Sequence, residues 1–389
     1  MDIGLYSWGG CLLDDVGLGG PDPYDRLYPP QRYADGYLAL LKSAKLADSL
    51  GYDTFWLTEH HFQREGYQIV PNVAMVAAVL AQHTQRLTFG AFFHQTPMWH
   101  PIRLAEDLAI ASILSGGRIV FGTGRGSVER EMPIFGATFG HHPGDDLDAA
   151  NRRLFEEQMR LIKLAWSSDE FSFAGEHYTV PVPGYLNTGH PETGRPWDQV
   201  TLVPRPTEPI PIYQAAISAT TRHYAAAEGH RAVIPLVRQF PAAWRHFGEL
   251  VEQHQGRPVS PADRVALVQA YVGDTRAEAI ERFRPYHDER YRFLAAQHPI
   301  YGYTEADGTP FAFGRAPTLE ESIDQGNFFV GTVADVRDEL AGLVAEHGIG
   351  HLVAEITFAG MTPAESAEQV TAFATEVRPA LEQAAALAA

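Results

Sequence analysis

Residues 52–62, Tyr52-Asp53-Thr54-Phe55-Trp56-Leu57-Thr58-Glu59-His60-His61-Phe62, are an apolar run that stops abruptly in an acid and two histidines. Residues 52–57 have the length and the aromatic and apolar content of a buried strand. On a parallel sheet, side chains that do chemistry gather in the loops beyond the carboxyl ends of the strands. The fold therefore turns on whether the flanking sequence supplies parallel neighbours for this strand.

It does, on both sides. Upstream, 3–8 is a short apolar strand, followed by a Gly/Pro/Asp loop around 19–23 and a helix over 32–50. In that helix Tyr37, Leu40, Leu41, Ala44, Ala47 and Leu50 recur at helical spacing, and Gly51 sits where helices end. Downstream, a helix over 71–84 leads to a strand over 87–93 that ends in His94-Gln95. Pro101 opens a further helix, Ser115-Gly116-Gly117 closes it, and a strand over 118–122 runs into Thr123-Gly124-Arg125-Gly126. Strands over 210–216, 231–237, 265–272 and 351–358 follow, with helices over 147–167, 220–228, 240–254, 275–295, 333–347 and 363–386.

Strand and helix alternate through eight strands, the pattern of a single (β/α)8 TIM barrel spanning 1–389. A doubly wound sheet is the competing architecture, but no compositional split divides the chain. Two Pro/Gly-rich excursions, 171–209 with a small hairpin and 298–327, interrupt the rhythm and are expected as lid and substrate-selecting loops.

Composition narrows the partners. Thirty Lys and Arg against 48 Asp and Glu leave a formal charge of −18, which argues against nucleic acid, whose phosphates need basic side chains. No apolar run approaches the ~20 residues that span a bilayer, so no membrane is expected. Met1-Asp2-Ile3-Gly4-Leu5 starts as a strand rather than a signal peptide, and the expectation is a cytoplasmic protein. The single cysteine, Cys11, allows no internal disulfide and reads as a buried thiol.

Three stretches carry chemistry. His60 and His61 are adjacent, without the spacing or third ligand of a zinc site, so no metal is expected. A histidine at a strand's end suits general base work or hydrogen bonding to a developing anion, and a satisfied core histidine is the plain alternative. The pair His141-His142 reads as a solvated turn. Gly122-Thr123-Gly124-Arg125-Gly126 fails as a dinucleotide or Walker loop but leaves a glycine-flanked arginine able to fork onto a phosphate. Ser218-Ala219-Thr220-Thr221 begins a helix, where hydroxyls and free amides bind anions or simply cap, and Gly331-Thr332 is a rival phosphate site.

Together these stretches resemble the bacterial luciferase-like flavin monooxygenases. The resemblance rests on Glu59-His60-His61-Phe62, Thr96-Pro97, His100-Pro101 with Arg103 and Glu106-Asp107, and Ser115-Gly116-Gly117-Arg118. It continues through Gly122 to Gly126, Phe135-Gly136, Ser218 with Thr221, and Gly331-Thr332. It covers nearly the whole chain outside the excursions and is most specific in the first 140 residues.

The resemblance implies a barrel that binds reduced FMN (FMNH2) in its mouth, usually as a dimer packed through early helices. His60 is then the catalytic histidine near the flavin, supported by Glu59 and His61. Arg125 holds the phosphate with Ser218, Thr221 and the amide of Ala219, and Ser127 adds a backbone contact. Phe92-Phe93 lies where such proteins often carry a non-prolyl cis peptide against the flavin ring. The implied reaction is insertion of one oxygen from O2 into a small organic substrate through a flavin C4a-peroxide, with a separate flavin reductase supplying FMNH2. An F420-dependent oxidoreductase and a non-catalytic flavin-binding protein are the alternatives. Two departures from luciferase stand out: Ile217 occupies an acidic position, and His94-Gln95 replaces aliphatic residues, which argues for a more polar pocket and against a fatty aldehyde. Trp8, Trp56, Phe92, Phe93 and Trp99 are expected to wall a dry cavity, as a reactive flavin adduct requires.

Overall fold

The computed structural model describes every residue except 18–19, 21, 127, 138–145, 186–193, 195, 235–239, 298–299, 301 and 389. Among the described residues, β1 (Asp2–Ser7) leads through α1 (Pro30–Ser49) to β2 (Thr54–Leu57), then α2 (Val73–Ala81) and β3 (Thr88–Ala91). A short β4 (His94–Gln95) precedes α3 (Pro101–Ser115), β5 (Phe121–Gly124) and α4 (Asp146–Ser167). The hairpin β6 (Phe173–Ala174) and β7 (Thr179–Val180) comes before β8 (Ile212–Ala215), α5 (Ala219–Glu228), β9 (Arg231–Ile234), α6 (Phe240–Gln255) and β10 (Arg264–Gly273). The chain finishes through α7 (Arg276–Leu294), α8 (Leu319–Asp324), β11 (Phe329–Thr332), α9 (Val333–His347), β12 (His351–Glu355), α10 (Pro363–Ala372) and α11 (Arg378–Ala388).

Hydrogen-bonded neighbours run β3-β2-β1-β12-β10-β9-β8-β5-β4, and every pair in this path is parallel. A bridge from Phe89 to Ile119 joins the two ends. Because β4 continues β3 after two residues, eight strands close into the (β/α)8 barrel expected from the alternation.

Every barrel strand, or the residue that flanks it, sends side chains into one interior cluster: Tyr6, Trp56, Phe92, Val120, Tyr213, Val233, Leu267 and Val353 among them. The alternate residues, such as Leu5, Phe55, Phe89 and Leu352, face the helices. Trp56 fills the axis with none of its surface exposed, and two glycines make room for it. A Cβ on Gly90 of β3 would lie 2.4 Å from its ring, and one on Gly4 of β1 would lie 3.0 Å from its Nε1.

Three boundaries differ from the sequence reading. The strand expected from 118 begins at Phe121, because Arg118 instead turns its guanidinium to the carbonyls of Ala81, Thr84 and Leu87 and ties that loop down. No strand is expected between the second excursion, 298–327, and the helix from 333, yet β11 pairs with the far end of β10, Ala270 to Gly273, which runs on beyond the barrel. The last helix is broken by a π-helical turn over Phe373–Val377. The first excursion does contain its hairpin, and Glu157 of α4 anchors it by accepting the amides of residues 176, 177 and 178 at 2.8 to 2.9 Å.

Candidate active site

The carboxyl ends of β2, β4 and β5 meet at a buried polar network. Thr58 and Glu59 leave β2, and the Glu59 carboxylate, 1% exposed, accepts from His94 Nδ1 and from Trp99 Nε1, both at 2.8 Å. His61 Nε2 stands 3.6 Å away, beyond hydrogen-bond range. Burial alone would raise this carboxyl, but the nearby His61 imidazole and the His94 and Trp99 donors outweigh it and hold it down to about 2. Glu59 is therefore ionised, enclosed and committed to its partners. His94 is 1% exposed and spent on the same carboxylate, so it does not give the mouth the polar wall expected from the sequence. Trp99, expected beside the other aromatics, is directed to Glu59 instead.

His60 is differently placed. Its backbone amide donates to Val70 O at 3.2 Å, and its side chain, 14% exposed, meets Glu131 with Nδ1 3.0 Å from Oε1. Glu131 has no exposed surface. Burial pushes its carboxyl up, but the charge and hydrogen bond of His60 and the Gln95 amide outweigh this and lower it below the usual range. Gln95 Nε2 bridges the network, donating to Glu131 Oε2 at 2.7 Å and to the Glu59 carbonyl at 2.9 Å. An ionised carboxylate on Nδ1 keeps the proton on that nitrogen, so in a neutral His60 the Nε2 lone pair is the one left to accept a proton. Gln95 is marked in the sequence only as a polar replacement at a strand's end, and Glu131, 71 residues from its partner, carries no motif that singles it out.

His61 turns away from His60, its ring edge-on to Phe135 at 4.6 Å. Phe135 stacks in turn on Phe62, which holds a positive φ of 57° and is half exposed. Phe92-Phe93 is a cis peptide between β3 and β4, and the Phe92 ring stacks on Trp56 at 4.1 Å. Trp8, Tyr67 and Phe293 of α7 join the same aromatic cluster. Across it, Glu355 at the end of β12 is buried beside Gln269 and the Arg290 guanidinium, and burial raises its carboxyl in spite of Arg290.

The residues singled out for an anion follow two paired strands, β5 and β8. Arg125 follows β5, and its Nη1 donates to Asp148 Oδ1 at 2.7 Å, while Arg152 takes the other oxygen at 2.6 Å. Beside it, β8 leads to α5, where Ser218 is the N-cap: its Oγ accepts the Thr221 amide and Thr221 Oγ1 accepts the Ser218 amide, each at 3.1 Å. As at any helix start, the amides of Ala219 and Thr220 find no partner within the helix. Arg222 adds a cation whose bonds go to the carbonyls of Ala216 and Ile217 and to His246, with no carboxylate partner among the described residues. The rival at Gly331-Thr332 is filled by the chain itself: Asp335 accepts the Thr332 amide at 2.9 Å, and a Cβ on Gly331 would lie 2.7 Å from that carboxylate. Ser127 and His141-His142 lie outside the described residues. Among the described residues, no group of three or more His, Cys, Asp or Glu could hold a metal ion, and no helix is long and apolar enough to cross a membrane.

A family model described as luciferase-like monooxygenase matches residues 25–351. The 4-hydroxyprotoasukamycin monooxygenase of Streptomyces nodosus subsp. asukaensis is 25% identical over 332 residues, 81% of this chain and 79% of that protein. The oxygenase component of the flavin-dependent trigonelline monooxygenase of Acinetobacter baylyi is 28% identical over 263 residues, 66% of this chain and 64% of its own. Among solved structures, monooxygenase RslO1 from Streptomyces bottropensis aligns with a TM-score of 0.75 over 97% of this chain and 99% of its own, at 19% identity, a likeness of fold.

Proposed function

Because the chain belongs to the luciferase-like monooxygenase family, we propose that it is a two-component flavin-dependent monooxygenase, receiving FMNH2 from a separate reductase and inserting one oxygen of O2 into a small organic substrate. The observation that carries this reading is the 3.0 Å contact between His60 Nδ1 and a buried, ionised Glu131, at the strand ends where barrels place their chemistry. The trigonelline relative, named as an oxygenase component, supports the separate reductase.

The residues fit a flavin phosphate. The unfilled amides of α5, the Ser218 and Thr221 hydroxyls and Arg125 follow the paired strands β8 and β5, the groups a phosphate needs. Ser127 is assigned a backbone contact by the same reading. When bound, reduced FMN supplies the activation of O2. The protein's part is to hold the ring against Phe92-Phe93, exclude water with Trp8, Trp56 and Tyr67, and take or return a proton at His60 Nε2. Glu131 fixes the His60 tautomer, and Glu59 and His61 act as positioning residues that lock the β2 end.

A homodimer is part of this proposal. Met75 and Val79 of α2 and Ile110, Ile113 and Leu114 of α3 expose apolar surface on two adjacent helices, a patch that a second copy would cover. The excursions 171–209 and 298–327 are assigned to lid and substrate selection, and the reaction to the cytoplasm.

Anaerobic titration tests the cofactor. The protein should bind FMN more tightly when it is reduced, and O2 added with a panel of ketones, phenols and aromatic acids should yield an oxygenated product. Tight F420 binding without FMN affinity would overturn the reading in favour of hydride transfer, and FMNH2 binding with peroxide as the only product across the panel would leave a flavin-binding protein.

A further inference from the structure

Between α1 and α10, on the barrel face that carries the histidines, lies a cavity of about 580 Å³. Its walls are the loop 7–12 after β1, the segment 357–361 after β12, and the facing sides of the two helices. None of His60, Glu131 or Arg125 lines it. Trp8 and Tyr67 do, and both also belong to the aromatic cluster of the barrel interior, so cavity and mouth share a wall. That wall is braced from behind: the Arg290 guanidinium, paired with Glu355, lies 4.6 Å from the Trp8 ring. It is also stiff, because a Cβ on Gly10 would lie 2.4 Å from Tyr67 O and one on Gly36 3.1 Å from Gly10 O, so α1 and the two loops touch backbone to backbone.

The lining is chiefly apolar, with Leu40, Leu46, Met361 and Val370 across from one another. Asp35 and Lys42, one α-helical stripe apart, stand at the rim. The Asp35 carboxylate already accepts the Gln31 amide at 2.9 Å, whereas Lys42 makes no ion pair among the described residues. A volume in the range of ordinary small-molecule pockets (~300–1,000 Å³), apolar walls and one free cation define the complement of an amphipathic organic molecule.

We propose that this cavity is a second binding site, which takes an apolar organic molecule with an anionic or hydrogen-bond-accepting head directed at Lys42. Trp8 and Tyr67 separate its occupant from the barrel interior, so the occupant is a molecule distinct from the one that reacts. The site does not rest on the proposed function.

The lone thiol makes the test site-specific, because Cys11 lines this cavity. The probe is 8-anilino-1-naphthalenesulfonate, titrated into the full-length protein without flavin. One saturable site is expected, and the bound probe should slow methyl methanethiosulfonate modification of Cys11 about tenfold or more, while FMN should not. Burial pushes the thiol up to about 11, so the reaction is followed in alkaline buffer. Lys42→Gln should weaken the probe about two- to fivefold, the range of an exposed charge contact. Ala39→Trp, which fills the cavity from α1, should abolish probe binding and leave FMN affinity intact. Probe binding that leaves Cys11 unprotected, or that survives both variants, overturns the proposal. Competitive displacement by FMN does so too, since it would merge the cavity with the flavin mouth. Loss of FMN binding in the wild-type protein would refute the flavin reading alone and leave the probe result standing.

Discussion

Asp148→Asn asks directly whether Arg125 is a phosphate ligand. Arg125 and Arg152 share the Asp148 carboxylate, at 2.7 and 2.6 Å, and Asp148 is only 3% exposed. Burial raises that carboxyl, but the two guanidinium groups outweigh it and hold it ionised. A phosphate approaching Arg125 must therefore compete with a charge already in place. Two unit charges about 4 Å apart interact by about 4 kcal/mol at an effective dielectric of 20. The Arg125 side chain is 21% exposed, and a phosphate held by the open side of its guanidinium would lie beyond Arg125 as seen from Asp148, so solvent screening reduces the penalty on the phosphate to ~1 kcal/mol. Removing the Asp148 charge should tighten FMN about fivefold and leave riboflavin unchanged, while the single Asn amide oxygen keeps a hydrogen bond to one of the two arginines. Arg125→Ala should weaken FMN by ~1.5–3 kcal/mol, the worth of a charge-assisted contact, and again spare riboflavin. In the double variant the Asp148→Asn gain should vanish if Asp148 acts by restraining Arg125, and persist if it repels the phosphate directly. Quenching of flavin fluorescence at low and at high salt reads all three. Parallel loss of FMN and riboflavin, or weaker FMN binding in Asp148→Asn, refutes the argument and moves the phosphate toward Arg222, the cation on α5 without a carboxylate partner among the described residues.

His60→Ala should cut oxygenated product by ~10²–10⁴-fold and spare flavin affinity, and unchanged turnover would remove His60 from the chemistry. Glu131→Gln keeps an acceptor on Nδ1 but removes its charge, so about a 10- to 150-fold loss is expected from a charged hydrogen bond of ~1.5–3 kcal/mol, with Glu131→Leu worse. Glu59 has a depressed folded pKa, about 2 against 4.5, so its stabilisation is complete above about pH 4.5 and is lost as pH falls toward about 2. Glu59→Gln should lower stability at pH 7 and flatten the acid limb in that window; an acid limb unchanged in denaturant titrations would show that Glu59 does not govern it. Met75→Glu with Leu114→Glu should yield monomers by sedimentation, and a persistent dimer would place the interface elsewhere.

The barrel was legible because its evidence is local. Helical stripes such as Leu40, Ala44 and Ala47 and apolar strand runs such as Thr54 to Leu57 each declare themselves within a few residues, and alternation of the two leaves few topologies. What was missed depends on contacts that no window contains. Phe329 to Thr332 becomes a strand only because β10 overruns the barrel and offers an unpaired edge. Arg118 leaves its expected strand because three carbonyls from another loop are waiting for its guanidinium.

The site divides along the same line. Glu59-His60-His61 was visible as an acid and two histidines, but their roles depend on orientation, and side chains leaving a strand end diverge. His60 meets a carboxylate 71 residues ahead, whereas Glu59 faces back into His94 and Trp99. The carboxylate adjacent in sequence is enclosed and fully engaged, and the acid that can tune His60 comes from the irregular stretch after β5, where residue type alone gave no reason to choose Glu131 over Glu129. A buried carboxylate touching a histidine at 3.0 Å, with its second oxygen held by Gln95, has few structural purposes that a neutral side chain would not serve at less desolvation cost. Its presence there is the strongest physical reason to assign His60 a proton to move.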